Sequence, residues 1–219
     1  MKEATFKRMV KRCTAFCRQI EANGGYAVYP KIEEPATERD ILALERELKA
    51  TLPDTLRAIL RTNTKHFSFR WFLPDNFVVP SSLNGVYCAD LTLKIDQILK
   101  SERARRNWLE QCFPDINDPY DRVWHNKIAF LEVGNGDFWA FDLKSPNAEH
   151  IVYLSHDDGK GHGFVIGTSF ESLLLRWCEV GCPGCDDHGW LPFWNKASQQ
   201  LEPDCQREVT FRKLLGFQQ

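Results

Sequence analysis

The residues with most chemistry in this chain are its 8 cysteines, 6 histidines and 30 carboxylates. Cys178, Cys182, Cys185 and His188 fall within one short run. Their types suit zinc, and Cys182-Pro-Gly-Cys185 has the spacing of a zinc knuckle. Structural zinc sites usually draw two ligand pairs from segments a dozen or more residues apart, and Cys178 falls on the inward face of the preceding helix, so buried thiols are the competing reading. Cys13 and Cys17 lie one helical turn apart among apolar neighbours and read as core. His156-Asp157-Asp158 offers an imidazole and two carboxylates, a set that holds a metal when its members converge from separate elements. Beside Gly159 and Gly161 it reads as a turn. Asp137 and Asp142, five apart on one strand, point to opposite faces and form no simple acid–base pair. Asp137 is expected to cap the Gly136 turn and Asp142 to end the strand. The functional alternative is an acidic edge that joins Asp157 and Asp158 to meet a basic protein surface.

The common enzyme signatures are missing: there is no Gly-x-Ser-x-Gly elbow, no His-Glu-x-x-His pair and no phosphate-binding P-loop. Gly159-Lys-Gly161-His-Gly163 connects two expected strands rather than opening a helix, so it lacks the helix N-terminus that would hold a phosphate. A site assembled from distant Ser, His and Asp stays open. Trp71, Trp139, Trp190 and Trp194 each have two readings, core or interface, and most of them read as core. Trp190 and Trp194, in the run GWLPFWN, either cover the sheet or anchor an interface.

The elements that must position these residues show in the hydrophobic period. Phe6, Met9, Val10, Cys13, Phe16, Cys17 and Ile20 predict a helix that Asn23-Gly24-Gly25 ends, followed by a short strand at Tyr26–Tyr29. Thr37 caps a second helix carrying Ile41, Leu44, Leu48 and Leu52. Pro53 interrupts it, and Asp54 opens a short helix to Asn63. His66–Phe72 alternates as a strand with Phe67, Phe69 and Trp71 on one face. Residues 74–90 show no period and read as a connection. A basic helix is expected from about Thr92 to Cys112 with Ile95, Ile98, Leu99, Trp108 and Leu109 inward. Asp115–Asp121 reads as a loop. Ile128–Val133 and Phe138–Leu143 flank Gly134-Asn135-Gly136 as a hairpin. Strands at His150–Leu154 and Phe164–Ile166 follow, then a helix capped by Thr168 or Ser169 and closed by Gly181. From Cys182 onward the chain looks loop-like, with a final helix near Arg207–Leu215. Consecutive strands favour an α+β fold with a mostly antiparallel, twisted sheet flanked by helices over a doubly wound one.

The composition fits one globular domain: 219 residues, 43% hydrophobic, 12% aromatic and 26% charged. The net charge of −2 argues against a nucleic-acid partner. The basic runs Lys7, Arg8, Lys11, Arg12 and Arg103, Arg105, Arg106 read as solvated helix faces. Met1–Ile20 lacks a signal-peptide core and no run of eighteen apolar residues spans a membrane, so a cytoplasmic protein with reduced thiols is expected.

Four segments in order resemble the SUKH superfamily of Smi–Knr cell-wall-assembly regulators and bacterial toxin-immunity proteins. They are TERDILALERELKATLPDTLRAILRTN (Thr37–Asn63), IAFLEVGNGDFWAFDL (Ile128–Leu143), IVYLSHDD (Ile151–Asp158) and GTSFESLLLRW (Gly167–Trp177). Family members often carry Asn-Gly after the short helix, where this chain reads Asn63-Thr64-Lys65. The resemblance implies a SUKH-like domain over 33–181, with a helical extension at 1–32 and a Cys/Trp-containing extension at 182–219 packed on it. It also implies a mixed sheet wrapped by helices, and binding rather than catalysis. The protein it leads one to expect is no enzyme and carries no cofactor. It neutralises a cognate protein toxin of nuclease or deaminase type by steric block. The expected contacts are Asp137, Trp139, Asp142, His156, Asp157, Asp158, Trp190 and Trp194. A regulatory or scaffold protein of the same fold, and an enzyme or zinc protein using Cys178, Cys182, Cys185 and His188, are the alternatives.

Overall fold

The computed structural model describes residues 1–217. Its first helix, α1 (Glu3–Ala22), buries Phe6, Met9, Cys13, Phe16, Cys17 and Ile20 along one stripe and leaves Lys7, Arg8, Lys11 and Arg12 to solvent. Strand β1 (Tyr26–Ile32) follows. Helix α2 (Glu38–Leu48) starts with a full capping box. Thr37 Oγ1 accepts the Asp40 N–H at 3.2 Å, and the Asp40 carboxylate accepts the Thr37 N–H at 2.9 Å. Helix α3 (Asp54–Thr62) begins after Pro53 and leads into β2 (His66–Phe72).

The next element departs from the expectation of a connection running into a helix at Thr92. Cys88–Lys94 is a strand, β3, paired in register with β2, with Ala89, Leu91 and Leu93 buried on alternate positions; helix α4 (Ile95–Gln111) starts only after it. Short helix α5 (Asp121–Trp124) precedes β4 (Lys127–Glu132), β5 (Phe138–Asp142), β6 (Ile151–Leu154) and β7 (Val165–Gly167). Helix α6 (Phe170–Glu179) is capped by the Ser169 hydroxyl, which accepts the Ser172 N–H. The tail is not loop-like. It holds α7 (Asp187–Trp190), a small hairpin of β8 (Trp194–Asn195) and β9 (Gln200–Leu201), and α8 (Gln206–Leu214).

All strand pairs among the described residues are antiparallel, which corrects the mixed sheet. The α+β architecture divides them into sheets ordered β1-β2-β3, β4-β5-β6-β7 and β8-β9. The first sheet has one buried face. Phe67, Phe69 and Trp71 point into the core, while Tyr26, Val28 and Phe72 remain exposed on the other side. The second is covered on both faces. Ile128, Phe130, Trp139, Phe141, Ile151 and Tyr153 face the main core. Ala129, Phe138, Ala140, Val152 and Leu154 pack under α4 and α5 with Phe113 and Trp124. One apolar cluster runs from Phe6 through the strands to Trp190, Phe211 and Leu215, so both extensions are part of the same core.

Of the expected solvated basic face of α4, Arg103 is exposed and Arg106 half-buried, whereas Arg105 is withdrawn from solvent. Arg105 is 4% exposed and Glu102 is 1% exposed. Glu102 accepts from Arg105 Nε at 2.8 Å, from Arg106 Nε at 2.7 Å and from the Ala129 N–H at 2.8 Å. The last donor lies on the open edge of β4, where no neighbouring strand would satisfy it. Arg105 also reaches the Trp124 carbonyl at 2.7 Å, and Arg106 the Leu48 carbonyl at 2.5 Å. A buried charge pair thus ties α2, α4, α5 and the edge of the second sheet.

Candidate functional site

The structure separates the expected site residues into three groups. The first is buried. Trp139 (1% exposed) and Trp190 (0%) are core, which corrects their assignment to an accessible contact face. Three indole N–H groups explain where the tail sits. Trp71 donates to the Cys182 carbonyl at 3.0 Å, Trp177 to the Pro183 carbonyl at 2.8 Å and Trp139 to the Cys185 carbonyl at 2.8 Å. The Cys-Pro-Gly-Cys run is therefore a backbone loop held by tryptophans from both large sheets and α6 rather than a zinc knuckle. Cys185 is buried but joins neither Cys178 nor Cys182 in a ligand group, and His188 projects outward with its side chain 76% exposed. The expected Cys178–Cys182–Cys185–His188 set is not assembled. Cys178 and Cys182 instead meet Cys13, at 3.4 and 3.9 Å from its sulfur.

The second group is a polar network at the end of the second sheet. Asp137 is 1% exposed, so it too is no surface contact. Its Oδ1 accepts the His156 N–H at 3.0 Å and lies 2.7 Å from His156 Nδ1. Its Oδ2 accepts the Tyr153 hydroxyl, and the Asn135 amide at 2.7 Å. Two donors per oxygen fill a carboxylate, so Asp137 is spent on holding the hairpin turn against the turn at 155–158. Burial, then the adjacent Asp137, pushes the Tyr153 hydroxyl well above its usual pKa and keeps it a donor. Asp137, His156 and Asp157 have ligand atoms within 4.8 Å of one another, with Asp137 taking the place expected of Asp158. Asp142 joins none of this; it pairs with Lys127 at 3.1 Å, whose ammonium burial holds below its ordinary pKa.

The third group is exposed, and part of it was illegible from spacing. The loop at 115–121 docks on the turn at 155–158 through Tyr120. The Tyr120 hydroxyl donates to the Ser155 carbonyl at 2.6 Å and accepts the Asp158 N–H at 3.0 Å. Its ring stacks on His162 at 3.8 Å. His162 fastens the same junction: the Ser155 N–H donates to Nδ1 at 3.1 Å, and Nε2 faces the Tyr120 carbonyl at 3.1 Å. That pattern fits the neutral ring protonated on Nε2, and burial lowers the His162 pKa accordingly. Asp115, Asp118, Asp121, Asp157 and Asp158 are thereby brought to adjoining segments, and Ile116 lies among them 47% exposed. None of these carboxylates meets a lysine or arginine within 4.0 Å among the described residues, unlike Asp142. Their local bonds are to turn backbone and hydroxyls: Asp118 accepts the Tyr120 N–H at 2.8 Å, and Asp157 the Ser155 hydroxyl at 2.8 Å. Beneath them Trp108 packs on His156 at 5.0 Å. Trp194, half-buried, stacks on Phe164 and donates to the Val165 carbonyl at 2.8 Å, covering the far edge of the sheet.

A recess of about 450 Å³ lies where the bare face of the first sheet meets the β4–β5 turn; Arg70, Cys88, Asp90, Glu132, Asn135 and Asp186 line it. Arg70 pairs across the strands with Asp90, and burial raises the Asp186 carboxyl above its ordinary pKa.

The fold and its surfaces define an antiparallel α+β module with one uncovered sheet face and one uncompensated acidic surface. Residues 35–176 match the SMI1/KNR4 family (SUKH-1), and the chain belongs to that family. The family fits binding of a protein partner. The chain is also 30% identical over 118 residues to the alanine–tRNA ligase of Clostridioides difficile (strain 630). That match covers 48% of this chain and spans 12% of the length of that enzyme. No helix among the described residues is long and apolar enough to cross a membrane.

Proposed function

We propose that this chain is a non-catalytic binding module that neutralises a cognate protein toxin in the cytoplasm. It seats the acidic surface at 115–121 and 156–158 over the toxin's active site and blocks it sterically. The observation that carries this reading is the Tyr120 junction. It fixes unpaired carboxylates from two loops on one rigid base, and the aromatic layer below holds that base in place. A toxin that cuts or deaminates nucleic acid must carry a basic surface to hold its phosphates. An acidic face complementary to it would speed encounter and exclude the substrate. Family membership supports the immunity role. Aminoacylation is not carried over from a match that spans 12% of the synthetase.

The test is affinity capture from the native host, followed by co-expression. Capture of a protein with a nuclease or deaminase domain, together with restored growth when that domain is expressed alongside this chain, is the expected result. A regulatory or structural protein as the captured partner would replace immunity with a scaffold role. No capture and no protection would sink the proposal.

A further inference from the structure

We propose that Cys13, Cys178 and Cys182 form a buried three-sulfur site for one soft, thiophilic cation. The sulfurs come from three places in the chain: the middle of α1, the end of α6 and the loop beyond it. They converge although 165 and 169 residues separate Cys13 from its two partners. Cys13 and Cys182 are 0% exposed and Cys178 is 6% exposed. A metal–sulfur bond of about 2.3 Å places ligand sulfurs about 3.8 Å apart around a tetrahedral centre and about 4.0 Å apart around a trigonal one. The observed separations from Cys13 are 3.4 and 3.9 Å, and all three sulfurs lie within 4.8 Å of one another. Shifts of about an ångström or less would complete the shell.

The surrounding backbone holds the sulfurs there. Cys182 adopts the left-handed conformation at φ 54°, directly after Gly181 at φ 95°. A side chain in that region is strained relative to the right-handed form. The Cys182 N–H closes α6 on the Trp177 carbonyl at 2.8 Å, and its carbonyl accepts the Trp71 indole. Outside the cluster, Arg12 and Glu179, each next in sequence to a ligand, pair at 3.1 Å across α1 and α6. No fourth donor joins the group among the described residues; the Cys17 sulfur faces the Val28 carbonyl instead. Thiolate ligands select copper(I) and zinc(II). A buried three-sulfur shell suits copper(I), whereas zinc(II) normally takes a fourth ligand. All three cysteines lie outside residues 35–176, so the site belongs to the segments that flank the family match and would clamp them together.

The full chain would be unfolded in guanidinium with a phosphine reductant and refolded anaerobically. Either copper(I) buffered by a bathocuproine chelator or zinc(II) would be present, and gel filtration and elemental analysis would follow. The expected result is roughly one copper(I) per chain, retained by Cys112→Ser and lost from Cys13→Ser and Cys178→Ser, with far-UV circular dichroism confirming that the variants fold. Stoichiometric zinc(II) lost from the same variants would keep the site and assign it the other cation. No uptake of either ion by the wild-type chain would overturn the proposal, whatever the variants do. So would uptake that survives both substitutions.

Discussion

The two large sheets solve burial differently. The β4–β7 sheet is covered on both faces, so its strands are buried almost from end to end, and even the Ala129 N–H on its open edge is satisfied by Glu102 of α4. The β1–β3 sheet is covered on one face and alternates. Packing on both sides fixes the position of everything attached to a sheet. Packing on one side leaves apolar side chains such as Tyr26 and Phe72 in water, where they add little to stability and are free for another use. The acidic loops are attached to the doubly covered sheet, through Ser155, His156 and His162. A recognition surface on that base loses little entropy on binding.

The contrast can be tested from its stiff end first. Glu102→Ala should destabilise the chain by about 3–5 kcal/mol in urea unfolding, because it strands a buried arginine and an edge N–H together. A loss below about 1 kcal/mol would show that the edge of the second sheet needs no such partner. The double change Asp157→Lys, Asp158→Lys should weaken binding to the captured partner at least about tenfold, and more at low salt, while costing only about 1–2 kcal/mol of stability for the lost Ser155 bond and for lysine at the positive φ of Asp158. Unchanged affinity would move the interface to the bare sheet face and its recess.

Acidification probes the junction between the loops. The pKa of His162 is lowered in the folded chain from the ordinary 6.5, so the unfolded chain takes up the proton first. The stabilisation that comes from the neutral ring is therefore complete above about pH 6.5 and is lost as pH falls below it. The melting temperature should drop between pH 7.5 and 5, and His162→Gln should flatten that part of the profile. An equal slope in the variant would place the titrating group elsewhere. The smallest effect is expected on the bare face, where Tyr26→Ala should stay within about 0.5 kcal/mol. A loss of about 2 kcal/mol or more would mean that the two sheets are less different than their burial suggests.

Local chemistry made much of this readable from sequence. The Thr37–Asp40 box, the Pro53 break and the Gly134-Asn135-Gly136 hairpin each depend on neighbours within a few residues. Strand β3 was hidden because Leu91 and Leu93 run straight into the helical period of Ile95, Ile98 and Leu99, with no turn residue between them. Arg105 looked like one of several solvated arginines because its buried partner, Glu102, is itself a residue usually found outside. The candidate site was half legible. Asp157 and Asp158 stood out beside glycines, whereas Asp115–Asp121 became part of the same surface through Tyr120, whose hydroxyl bridges loops some 35 residues apart and whose ring and carbonyl meet His162. The trio of thiols followed the same logic, since spacing within the tail pointed to Cys185 and His188 while the third sulfur came from α1.

Strand β1 borders the bare face and is the edge of its sheet, with no strand paired along its outer side among the described residues. Pro30 removes a backbone donor there, the register slips between Val28 and Lys31, and Lys31 adds a charge. These features disfavour extension of the sheet from that side, by a second copy in a concentrated solution or by a ligand peptide in strand form. A partner that meets this edge is left to read side chains, a mode of contact that discriminates among partners where ladder pairing would accept almost any extended segment.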